Sequence, residues 1–201
     1  AHRSDARPSI DWATGTADLD DVTAYRTLGL AALVQADLLA SSGHQVEAVK
    51  LRVDVAQLGL DQFHIPALTH AGMALTNVVA AFCGPFGSVS GPGTGLDHMG
   101  ADARQLLVTA LDETIGAMER RALTDWLEER RLKTESNVVQ APFLETLKLV
   151  RQRLARLRLA LRVDLDGDAA RSDSVDGRLM TAEVTADEII VTWVDDDGSD
   201  E

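Results

Sequence analysis

The chain has 201 residues, 45% hydrophobic and 25% charged, with 32 acidic against 19 basic side chains and a formal net charge of -13. That length and apolar content exclude a disordered chain and allow a core that needs no metal or disulfide to hold it. The lone Cys83 excludes an intramolecular bridge, and the acidic excess opposes phosphate over most of the surface, so nucleic acid is an unlikely partner.

Residues 1–17 open with AHRSDARPSIDW, which lacks the basic, apolar and small-residue order of a secretory leader and reads as an irregular arm. Thr16 and Asp18 can cap the first helix, and Asp20 and Asp21 place negative charge where the helix dipole favours it. Val22, Tyr25, Leu28, Ala32, Ala36 and Leu39 then recur at helical steps. Between Leu28 and Ala40 only Gln35 and Asp37 are strongly polar, which predicts a helix covered on more than one side. Ser41-Ser42-Gly43 ends it. A second helix is predicted from Gln45 to Leu58, on the stripe Val46, Val49, Val53 and Ala56, with Gly59 closing it.

From Gln62 to Leu96 the chain carries no Asp, Glu, Lys or Arg. Pro66 fits the first turn of a third helix, which Leu68, Met73, Leu75, Val78, Val79 and Phe82 carry to Cys83. With no charged face and many small residues, it is expected at the centre of a bundle. The stretch Ile65 to Cys83 has the length of a membrane span. Thr69, His70, Gly72, Thr76 and Asn77 dilute it and no basic cluster flanks it, so no membrane partner is expected and the protein reads as cytoplasmic. GPFGSVSGPGTG, residues 84–95, follows as a connector or contact loop.

Thr94 or Asp97 can cap a long fourth helix whose stripe is Ala103, Leu107, Leu111, Ile115, Met118, Ala122 and Trp126. Pro142 opens another, with Phe143, Leu144, Leu147, Val150 and Leu154 on one side. The period then changes. Leu157, Leu159, Leu161, Val163 and Leu165 take every second position, which predicts a half-buried strand, a helix continuing through Leu161 being the competing reading. Two more strands are predicted at Arg178 to Val184 and Glu188 to Val194, joined by Thr185-Ala186-Asp187. The predicted fold is mainly α: a bundle of four or five helices over residues 18–140, a helix plus a C-terminal three-stranded antiparallel sheet over 141–195, and an acidic tail over 196–201.

Little in this order specifies chemistry. The glycine loop lies between helices and lacks a following Lys-Ser or Lys-Thr, so neither a P-loop nor a dinucleotide fingerprint has its context; an anion at the next helix's first amides is the remaining ligand reading. Asp61, His64 and His70 gather near the third helix, with His98 able to join through the fold, yet no metal-ligand spacing links them. Asp164, Asp166 and Asp168 start like a calcium loop, which fails at Ala169 and Val175; a polar hairpin connection reaching Asp176-Gly177 is the stronger account. Cys83 has no adjacent base, Tyr25 is the only tyrosine and no nucleophile motif occurs, so no catalytic residue, metal or cofactor is assigned.

Three of the 19 basic residues are lysines, Lys50, Lys133 and Lys148. Of the arginines, Arg151, Arg153, Arg156, Arg158 and Arg162 crowd one segment, either as a solvated face balanced by nearby carboxylates or as a patch for an acidic partner or the protein's own tail. The resulting expectation is a non-catalytic structural or interaction subunit of a larger assembly, as in virus particles or secretion machines, partnered by other proteins including copies of itself. The alternative is a small-molecule-binding protein or enzyme with a pocket under loop 84–95, using His64, His70 or His98. A regulatory adaptor binding through the arginines is a third reading.

Overall fold

The computed structural model describes residues 10–11, 16–17, 19–62, 68–83, 99–119, 140–167, 171–185 and 189–194. Five helices are found among them: α1 (Leu19–Ser41), α2 (Gln45–Gln62), α3 (Leu68–Cys83), α4 (Ala101–Glu119) and α5 (Gln140–Asp166). Two short strands precede them, β1 (Ile10–Asp11) and β2 (Thr16–Ala17), paired antiparallel. Three follow, β3 (Ser172–Val175), β4 (Arg178–Val184) and β5 (Ile189–Trp193), forming an antiparallel sheet in the order β3-β4-β5. The mainly α architecture with a C-terminal three-stranded sheet is therefore as expected. The bounds of one strand are not.

The alternating segment 157–165 is helical and lies within α5. Along a helix, two residues span about 200°. Leu157 and Leu161 thus share a face with Val150 and Leu154, while Leu159 and Val163 share a different one with Ala155. All seven are buried. α5 packs against α3 and α4 and also against β3, β4 and β5, so it is covered on two faces and its leucines alternate between them. A strand-like period arises without a strand.

The sheet's first strand is instead Ser172–Val175, inside what read as a polar connection. DLDGD ends α5, and the hairpin turn is the two-residue Asp176-Gly177. Both turn residues have positive φ, 55° and 76°, the mirror-image turn whose twist matches a hairpin.

α3 occupies the middle of the bundle. Ala74, Leu75, Asn77, Val78, Ala81 and Phe82 are buried, and it packs against α1, α2 and α5. Gly59 does not close α2, which continues to Gln62. It marks the closest approach of α2 to α3: a Cβ there would lie 2.8 Å from the Ala74 carbonyl oxygen and 3.1 Å from the Asn77 Cβ. α1 closes as expected, with the His44 amide donating to the Leu39 carbonyl at 2.9 Å. Pro66 and the continuation of the fourth helix through Ala122 and Trp126 lie outside the described residues, and α4 is described to Glu119.

Candidate interaction surface

The feature that most departs from the sequence reading is α1. Among the described residues, it is covered by its own chain on one side only. Gly29, Leu33 and Ala36 are buried, facing α2 and α3. On the opposite side Leu28 is 59% exposed, Val34 60% and Leu38 57%, with Leu30 at 45% on its flank. Ala24, Thr27, Ala31 and Gln35 complete this outward face, all of them exposed. Arg26 and Asp37 stand to one side of it, and Asp37 is drawn away into an ion pair with Arg52 of α2. Arg52 also donates to the Ala81 carbonyl at 3.0 Å, so this charge belongs to the α1–α2–α3 junction. The outward stripe follows a four-three spacing, Ala24, Leu28, Ala31, Gln35 and Leu38, the spacing by which one helix lies along another. An uncharged face with three large aliphatic side chains more than half exposed is unusual on a chain with a quarter of its residues charged.

The arginine segment turns out to be internal cement. Arg158 donates from Nε to Asp173 Oδ2 at 2.8 Å and from Nη1 to Asp112 Oδ1 at 3.0 Å, linking β3 to α4 across α5. Arg162 adds two bonds to Asp112, at 2.9 and 2.8 Å. Arg151 binds Glu119 at 2.9 Å and Asp176, in the hairpin turn, at 2.5 Å. Arg156 and Arg178 stack over the buried Trp193 at 5.3 and 4.8 Å from the ring centroid. An open arginine patch waiting for an acidic partner is thus not what the fold presents. Planar guanidinium groups were needed because one side chain must satisfy carboxylates from two layers.

Two of the remaining candidates have partners of their own. Asp61 accepts from Gln57 at 2.8 Å within α2. Asp164 pairs with Arg104 of α4, which explains one member of DLDGD without calcium. Loop 84–95, His64, His98, Asp168 and the tail lie outside the described residues, as do the side chains of His70 and Cys83. Among the described residues, no three His, Cys, Asp or Glu side chains converge as metal ligands, and no helix is long and apolar enough to cross a membrane.

An open cleft of about 330 Å³ lies where α2 and α4 begin, lined by Gly43, His44, Gln45, Glu47, Gly100 and Asp102 among others. Its acidic Glu47 and Asp102 already occupy the favourable end of each helix dipole, and the Gly100 amide is taken by Gln45 Oε1 at 2.8 Å. It presents no buried base or nucleophile, and its charge opposes an anion.

β5 lies at the edge of its sheet, the position that allows strand addition. In sequence it is bracketed by Asp187-Glu188 and Asp195-Asp196-Asp197, charges that discourage edge pairing with another copy. α1 therefore offers the better-formed contact surface. Its signal was present in the sequence as an excess of apolar positions over what one buried face needs, and burial alone could say which were left uncovered. No protein-family model matches this chain, and comparison with curated proteins and with solved structures finds no match.

Proposed function

We propose that this protein is a non-catalytic interaction subunit that acts by packing against other chains, with the outward face of α1 as its principal contact. The supporting observation is that face itself: Leu28, Val34 and Leu38 more than half exposed in a continuous uncharged stripe on a strongly acidic protein. Aliphatic side chains arranged along one helix face gain about 25 cal/mol for each Å² removed from water, and nothing in catalysis requires them there. The composition of α1, apolar on two sides, fits a helix that belongs half to its own core and half to an interface.

Size measurement on native material tests the reading. The chain, released gently from its source and analysed by size-exclusion chromatography with light scattering, is expected in a particle heavier than its own 21.6 kDa. A free 21.6 kDa species in native extract, with the α1 leucines open to footprinting reagents, would remove the proposal.

A further inference from the structure

We infer that the partner on α1 is a second copy of this chain, lying antiparallel along the same helix with Ala31 at the twofold axis. The inference rests on the interaction reading above and names its occupant. Three observations carry it.

The first is self-complementarity. An antiparallel pair centred on Ala31 sets Ala24 opposite Leu38, Leu28 opposite Val34 and Thr27 opposite Gln35. Each leucine then meets a smaller side chain, Leu38 against Ala24 and Leu28 against Val34, and the Ala31 pair sits at the crossing point, where backbones come closest. A parallel pair would set Leu38 against Leu38 and Ala24 against Ala24, crowding one end and leaving a gap at the other. The second observation is charge. Two copies that each carry -13 repel least where they meet on a face without charge, and the stripe from Ala24 to Leu38 has none. The third is area. Leu28, Val34 and Leu38 each leave on the order of 100 Å² uncovered, and with their small neighbours the stripe offers on the order of 600 Å² per copy. That is the low end for a specific contact, as expected of a pair that separates on dilution.

The salt response separates this contact from an ionic one. Screening weakens the mutual repulsion of two acidic bodies and leaves apolar contact intact, so the dimer tightens as salt rises from about 50 to 500 mM, over which the Debye length falls well below 10 Å. A head-to-tail contact between arginines and an acidic tail would loosen instead.

The test uses the purified full chain. Wild type is expected to shift from monomer to dimer on concentration, and Val34→Asp or Leu38→Asp to weaken the dimer by about a hundredfold, each change acting twice in a symmetric pair. Circular dichroism on both variants confirms that the helices persist, as their exposure requires. In a Cys83→Ser background, Ala31→Cys is expected to form a disulfide-linked dimer under mild oxidation. Leu38→Cys is not, since its two copies would stand about 21 Å apart along the helix axis. Equal cross-linking at both positions overturns the antiparallel arrangement. A dimer indifferent to the Asp substitutions moves the contact off α1 and overturns this inference while leaving the interaction reading in place. A chain monomeric at every concentration when pure, yet found in a heavier native particle, overturns self-pairing alone; a monomer in both settings removes both readings.

Discussion

Gly59 and Gly116 are both glycines inside helices, and the molecule treats them differently. At Gly59 a methyl group would meet the Ala74 carbonyl oxygen at 2.8 Å and Val78 Cγ2 at 3.3 Å, whereas at Gly116 nothing lies within 4 Å. Gly59→Ala should destabilise by about 2 kcal/mol, because forcing α2 from α3 outweighs the gain in helix propensity. Gly116→Ala should stabilise by roughly 0.5–1 kcal/mol, since only propensity changes there. Denaturant titration of the two variants checks both signs, and equal effects would refute the close contact. In the sequence Gly59 reads as the end of its helix, and nothing in residue order shows that it is instead the point where α2 meets α3.

The same limit appears at the level of elements, in α5. Its alternating leucines report burial, Leu154 and Leu159 being fully enclosed, whereas Leu149, off both covered faces, is 56% exposed. What they do not report is how many faces are buried. One covered face gives a period near 3.6, and two covered faces add to something close to two. The arginines resolve the matter in space. Arg158, at 9% exposure, joins Asp112 of α4 to Asp173 of β3 and so fastens the sheet to the bundle. Removing Asp173 leaves a guanidinium group with little access to water and half its partners. Asp173→Ala is expected to cost about 3 kcal/mol and to raise amide exchange in β3 and β4 before the helices loosen. Because both carboxylates share Arg158, adding Asp112→Ala should cost more than the sum of the single changes, since it leaves the guanidinium without either partner. Strict additivity in the double-mutant cycle would contradict a shared bridge.

For the molecule as a whole, the distribution of water-excluded surface matters more than its amount. α3 is uncharged along the faces that α1, α2 and α5 pack against, and only Thr76 of its described side chains is exposed. α1 has a nearly uncharged exterior for a different reason: one side is core, and on the other Leu28, Val34 and Leu38 are exposed. Val34→Asp should leave the isolated chain's unfolding free energy within about 0.5 kcal/mol of wild type, since the side chain is 60% exposed. An Asp at Val78, fully buried in α3, should prevent stable folding. Thermal melts at low protein concentration, where no dimer forms, distinguish the two. A large loss at Val34 in the monomer would mean that the stripe serves the chain's own core.

The helix count, the C-terminal sheet with its last two strands, the central α3 and the turn that ends α1 were all legible from residue order. Each depends on local rules, in which capping, periodicity and β-propensity act within a few neighbouring residues. Three things required the fold: the helical state of 157–165, the internal pairing of the arginines, and the exposed side of α1. Each turns on which surfaces meet across distances of tens of residues. Local order specifies that an apolar side chain must leave water, and only the packed chain decides whether its own elements or another molecule's provide the cover.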